Sequence, residues 1–212
     1  MRKKFKVTKV RKAHGGFSSM TVGDVASRAL RMANTVRKLI NVEKKYFDAT
    51  QVIANTGFTS TGIVYHLTAT TQGDTSSNRD GDSIKLTSEQ FKIGVQVGST
   101  NTQIRIILFQ DNENAGTNPG ITDLLEANNV YSPLLHTNGR RFKVLHDIYD
   151  SLNTVNSVNK HYNFYEKMDS HIKYNGAGTR EGNIYIAFLS EQATGAASPT
   201  GYIYNRIRFI DN

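Results

Sequence analysis

Residues 83–110 read SIKLTSEQFKIGVQVGSTNTQIRIILFQ, a pattern that two β-strands separated by a polar connection satisfy and a helix does not. Ile84 and Leu86 alternate with polar neighbours, and so do Phe91, Ile93, Val95 and Val97. The two series are out of phase, so a bulge or bend near residues 88–90 is needed to bring both onto one buried face. Outward from this stretch, residues 46–54, 61–69, 141–149, 160–174, 183–189 and 202–210 are also rich in Val, Ile, Tyr, Phe and Thr, and clusters of Gly, Asn, Asp, Ser and Thr divide them. In the last, Tyr202, Tyr204 and Arg206 oppose Ile203, Ile207 and Phe209 imperfectly. GITDLLEAN at 120–128 predicts a short surface helix after the Pro119–Gly120 turn. With 83–98 and 102–110, eight strands are expected, a sandwich of the jelly-roll or the immunoglobulin type, which periodicity does not separate.

The chain before this β region has another character. Through Lys45 it carries 13 basic residues against Asp24 and Glu43, a net of +11, whereas the remainder holds 13 basic and 16 acidic residues, a net of −3. Residues 1–20 contain Arg2, Lys3, Lys4, Lys6, Lys9, Arg11 and Lys12, no acid, and no apolar periodicity, and are expected to form a disordered arm. Residues 21–42 are expected to form an amphipathic helix, because Val22, Val25, Ala29, Ala33, Val36 and Ile40 recur at three- and four-residue spacing. Thr21 and Asp24 resemble a capping box with Asp in the usual Glu position. Arg28, Arg31 and Lys38 lie off the apolar stripe, and Arg37 adds a further cation. The stripe approximates an a/d seam over about three heptads, short for a free coiled coil. It fits either a helix packed on its own domain or one that meets neighbouring copies. Residues 43–212 make the β domain.

Dense lysine and arginine bind polyphosphates by counterion release with little sequence preference, so the arm points to a nucleic acid. A solubility tail and a nuclear localisation signal use the same residue types. The 212 residues suffice for one core, the lack of Cys excludes disulfides and thiolate metal sites, and no apolar run approaches the roughly 20 residues that span a bilayer. No catalytic motif is present, and His14, His66, His136, His146, His161 and His171 are too scattered for a zinc site on one element. Gly176, Gly178 and Gly182 read as a hairpin loop rather than a dinucleotide fingerprint. Asp74, Asp80 and Asp82 resemble a calcium loop without its bidentate glutamate, and Asp111, Glu113, Asp123 and Glu126 read as solvated loop carboxylates.

Three stretches carry a family resemblance: GDSIKLTSEQFKIGVQV from Gly81, IRIILFQDNENAGTNPGITDLLEANNVYSP from Ile104, and RRFKVLHDIY from Arg140. A strand ending F-x-D-N, a Gly-Thr-x-Pro turn, a short helix and a strand opening R-F-x-[IV]-L follow in order. The series resembles the coat proteins of the satellite tobacco necrosis virus type and the single jelly-roll capsid proteins of small circular single-stranded DNA viruses. The resemblance implies an all-β, eight-stranded jelly roll, a non-enzymatic capsid protein, and a homo-oligomeric icosahedral shell of sixty copies. Packaged single-stranded RNA or DNA would lie inside, with the helices of three neighbours meeting beneath each threefold axis. It further implies calcium between subunits, with Glu43 and Asp211 in the matching positions, although Glu43 beside Lys44 and Lys45 also suits salt bridges. The virion is the expected location, no membrane is involved, and assembly falls in the host cytoplasm or nucleus. Loops at 70–80, 112–120 and 191–201 are candidates for the outer surface and a host receptor. The rival readings are a carbohydrate-binding jelly roll with a basic targeting tail and a cupin-type β-sandwich enzyme.

Overall fold

A computed structural model describes residues 22–39, 43–54, 58–113, 117–175 and 178–211. Contacts divide the chain between Asn41 and Val42. On the first side, α1 spans Val22–Leu39, and Thr35 and Arg31 bond back to the carbonyls of Arg31 and Ser27. The basic residues of the arm at 1–20, together with Thr21, Ile40 and the rest of the helix forecast to 42, lie outside the described residues.

The β domain holds the eight expected strands: β1 Lys44–Ile53, β2 Ile63–His66, β3 Ser83–Gln96, β4 Thr102–Asp111, β5 Phe142–Leu152, β6 Asn159–Asn175, β8 Asn183–Ser190 and β9 Thr200–Asp211. A ninth short strand, β7 Gly178–Glu181, folds back on β6 and makes the glycine-rich segment a hairpin. Gly182 then leads into β8 at φ +79°, where a Cβ would collide with the His171 carbonyl oxygen. The strand order is β1-β9-β3-β6-β7 in one sheet and β2-β8-β4-β5 in the other, every pairing antiparallel. First and last strands therefore pair in one sheet while the second and eighth pair in the other, which is the jelly-roll winding and not the immunoglobulin one. The phase change in 83–97 is a register shift between Leu86 and Ser88 against both β6 and β9.

The main core lies between the sheets and includes Ile84, Leu86, Phe91, Ile93, Ile106, Leu108, Ile186, Phe188, Ile207 and Phe209. The imperfect alternation of β9 arises because Asn205 occupies a core position, fully buried, with its Nδ2 donating to the Leu67 carbonyl at 3.0 Å. A second cluster lies on the far side of the four-stranded sheet, where Ile107, Phe109, Tyr185, Ala187 and Leu189 meet Ile121 and Leu124 of the forecast short helix, α2 Ile121–Leu124, and Leu125 just after it. Strand β8 is consequently buried along its whole length. The five-stranded sheet differs: its outward positions on β6 are exposed from Asn159 to Asn175 in strict alternation.

Candidate functional site

Each described side chain of α1 up to Val36 is solvent-exposed, the stripe residues Val22, Val25, Ala29, Ala33 and Val36 included. Arg28 and Arg31 are exposed as well, and Arg37 and Lys38 fall within the helix's span. Thus one face of the helix displays uncovered apolar groups and another displays arginine. Of the arm's remaining candidates, Arg2, Lys3, Lys4, Lys6, Lys9, Arg11 and Lys12 are outside the described residues.

Glu43 and Asp211, far apart in sequence, are brought together at one end of the sandwich, and the cation between them is the protein's own. Strand alternation turns Lys45 inward, and its ammonium lies 2.8 Å from Asp80 Oδ1, 3.3 Å from Asp211 Oδ2 and 3.6 Å from Glu43 Oε2. The Lys45 side chain is only 1% exposed. The hydrogen bond to Asp80 lifts its pKa above the ordinary lysine value against the opposing effect of burial, and Asp211 adds to the lift. Asp211 also accepts from the Asp80 amide, so the loop before β3, the start of β1 and the end of β9 are tied at one point. A divalent ion placed among these carboxylates would meet the ammonium at close range, so within one subunit the residues do not fit a calcium site. Among the described residues no group of three or more His, Cys, Asp or Glu is arranged to hold a metal. The Asp74/Asp80/Asp82 loop is divided in the same way, with Asp80 on Lys45 and Asp82 on the buried Arg79 at 3.2 Å.

The motif residues of the 104–149 region form structural ties. Asp111, the acid of the F-x-D-N sequence, accepts two hydrogen bonds from Arg141, at 2.9 Å from Nε and 2.7 Å from Nη2. Phe109 meets Phe142 edge-on at 5.3 Å between ring centroids. Arg105, fully buried, makes a paired contact with Asp147 at 2.8 and 2.7 Å and lies 4.4 Å above the Tyr149 ring. Asp123 caps α2 by accepting from the Gly120 amide, and Glu126 accepts from the His136 amide. These carboxylates hold backbone and guanidinium groups rather than facing a pocket. His66 is similarly structural: stacked on Tyr185 at 4.8 Å and hydrogen-bonded near Thr68 and Asn183, it is held down to about 4 by burial.

The 191–201 loop sits with 58–62 and 97–101 through Ser60–Gln192 and Ser99–Ala196 backbone bonds, both 2.7 Å. The 70–80 loop and Asn112 lie at the opposite end, where Tyr174 bonds Asp82 and Asn112 bonds Arg141, while Pro119 and Gly120 sit beside Thr61 and Gly62.

The sequence matches the family model described as "Satellite tobacco necrosis virus coat protein" over residues 23–211. The coat protein of Satellite tobacco necrosis virus 2 is 32% identical over 185 residues, covering 81% of this chain and 91% of that protein. The coat protein of Maize white line mosaic Satellite virus is 29% identical over 191 residues, with 83% and 85% covered. A Desmodium yellow mottle tymovirus structure is matched at a TM-score of 0.38 and 11% identity, covering 80% of this chain and 88% of that one. With a jelly-roll strand order and a family match along nearly its whole length, the chain belongs to the satellite tobacco necrosis virus coat protein family and is a structural protein of a virion.

Proposed function

We propose that copies of this chain close into a small icosahedral shell, of sixty subunits, around a single-stranded RNA or DNA genome held by the basic N-terminus. The observation that carries this reading is the charge division, +11 through Lys45 on a remainder of −3. Residues 1–42, which leave out the buried Lys45, hold 11 basic residues against Asp24, and sixty such segments would neutralise on the order of 600 phosphates by counterion release. The exposed seam of α1 supports a helix that meets its counterparts in neighbouring copies, since an uncovered apolar stripe gains most by association. Coat-family membership favours this reading over a carbohydrate-binding or cupin-type one. Residues 1–20 are the arm, 21–42 the joining helix and 43–212 the shell domain.

The test compares purified particles of the full chain with those of a variant lacking residues 1–19, by electron microscopy and the ratio of absorbance at 260 and 280 nm. Uniform small shells rich in nucleic acid from the full chain, and empty or unformed shells from the variant, are expected. Equal nucleic acid content in both would overturn the arm's role.

A further inference from the structure

The two sheets of the sandwich are finished differently. The outer face of the four-stranded sheet is covered by the chain's own β4–β5 connection. No described connection of the β domain buries the outer face of the five-stranded sheet, whose outward side chains run in rows across the strands: Tyr46, Arg208, Ser88 and Lys167; Asp48, Arg206, Gln90 and Tyr165; Thr50, Tyr204, Lys92 and Asn163; Val52, Tyr202, Gly94 and His161. Lys44 and Lys85 continue the series, and Lys173 follows on β6.

This face carries seven of the fifteen lysines and arginines found from residue 44 onward, in a domain whose residues after Lys45 total −3. Against them stand Asp48, Asp169 and Glu181, paired with Arg206, Lys85 and Lys173. Lys44, Lys92, Lys167 and Arg208 have no acid within ion-pair distance among the described residues. Tyrosine is interleaved with the charge: Tyr165, Tyr202 and Tyr46 are 62%, 50% and 47% exposed. The Arg206 guanidinium lies between Tyr46 and Tyr204, 5.2 and 5.9 Å from their ring centroids, with its fork fixed by Asp48 at 2.6 and 2.7 Å. Two hollows open here, one of about 420 Å³ lined by Lys44, Tyr46, Arg206 and Arg208, the other of about 320 Å³ where Gly94 and Gly201 leave space beside His161 and Tyr202. They are roughly 20 Å apart along the strands at about 3.4 Å per residue.

We infer that this open sheet face is a second contact surface for the packaged single-stranded nucleic acid, with bases stacking on Tyr46 and Tyr202 in the two hollows and phosphates on Lys92, Lys167 and Arg208. Unpaired cations recognise phosphate without regard to sequence, and exposed aromatic rings stack on any base, a combination that suits an unpaired strand better than an apolar partner. The inference rests on the reading that the shell packages nucleic acid, but it uses none of the arm residues.

Ultraviolet cross-linking of intact full-chain particles, followed by peptide mass spectrometry, is the direct test. Nucleotide adducts on peptides containing Tyr46, Tyr165, Tyr202 or Tyr204 are expected. Adducts confined to residues before 40 would overturn the sheet surface and leave arm-based packaging standing, while particles without nucleic acid would overturn both. Protein–protein cross-links from this face in place of adducts would make it a subunit interface and also refute the inference. Binding supplies a second readout: for the full chain and a labelled single-stranded oligonucleotide, the Lys92→Gln/Lys167→Gln/Arg208→Gln variant should lower the slope of log affinity against log salt by about 2, at about 0.7 for each phosphate no longer neutralised. An unchanged slope in a variant with the parent's melting temperature would refute the assignment, and a variant that fails to fold leaves the decision to the cross-links.

Discussion

Glu89 gives the sharpest test of how this core is built. It is fully buried on the inward face of β3, neither carboxyl oxygen has a hydrogen-bond partner among the described residues, and its cross-strand neighbours are Glu166 on β6 and Ile207 on β9. His146 of β5 faces the same region but bonds Glu166, at 2.8 Å. Burial, with Glu166 adding to it, pushes the Glu89 carboxyl from 4.5 up to about 8. The native state therefore keeps the group protonated to about pH 8, whereas the unfolded chain ionises it above 4.5. The stability this neutral carboxyl allows is complete below pH 4.5 and is lost as pH rises to about 8. At about 1.36 kcal/mol per pH unit, the loss is about 3 kcal/mol at pH 7 and about 5 kcal/mol once the native carboxyl also ionises. Glu89→Gln keeps the shape and removes the ionisation. In urea denaturation of dilute full-length subunits, the variant should match the parent at pH 4.5, exceed it by about 3 kcal/mol at pH 7, and level off above pH 8. His66 works in the opposite direction, destabilising as pH falls from 6.5 towards about 4, but it is common to both proteins and cancels in the difference. A variant less stable than the parent at pH 7, or a difference independent of pH, would show that Glu89 is ionised and paired in the native state.

The ion pairs and the exposed helix seam give further expectations. Asp111→Ala strands Arg141 beside the second core cluster and should cost about 3–5 kcal/mol in urea denaturation, and a loss below about 1 kcal/mol would mean that the pair is not what closes this connection. Excess chelator should leave the parent's melting temperature unchanged, because the Lys45 ammonium already occupies the position between Asp80, Asp211 and Glu43; a rise on adding calcium would contradict that arrangement. Lys45→Met leaves the three carboxylates without their ammonium and should lower the subunit's melting temperature at pH 7; an unchanged melt would mean that this cluster does not tie the strand ends together. Val25→Asp, on the exposed seam of α1, should reduce particle yield while the β domain melts at the parent's temperature, and normal yield would remove the seam from assembly.

Much of the fold is written in alternation. Strands β3, β6 and β9 announce one buried and one wet face, and even the bulge near Ser88 is visible as a change of phase. What alternation does not carry is winding order, because a jelly roll and an immunoglobulin sandwich use strands of the same period. That choice lies in long-range pairing such as β1 with β9. The Lys45 cluster is half legible: the family resemblance singles out Glu43 and Asp211, but as calcium ligands between subunits, and the adjacent lysines suggest salt bridges for Glu43 alone. The step that needed the structure is that Lys45 shares the inward parity of Phe47, so the side chain between two outward residues goes into the sandwich and meets a loop 35 residues away.

The difference between the sheets was also present as a pattern. IILF in β4 and IYIAFL in β8 are continuous apolar runs, as strands buried on both faces require, whereas YNFYEKMDSHIK in β6 alternates to the end. A continuous run needs a second cover, and the F-x-D-N and R-F ends of the 109–142 connection provide it by bringing Phe109 and Phe142 together over Tyr185. An alternating strand needs none and is free to present whatever its outward positions carry. In β3, β6 and β9 those positions hold lysine, arginine, histidine and tyrosine with one acid, Asp169, while the fully buried acids Asp111 and Glu89 face other ways. The net charge of the domain therefore says little about its partners, because Asp82 and Asp147 are bound to the buried Arg79 and Arg105 and Asp123 and Glu126 to backbone amides, while Lys44, Lys92, Lys167 and Arg208 stand together on the open sheet face.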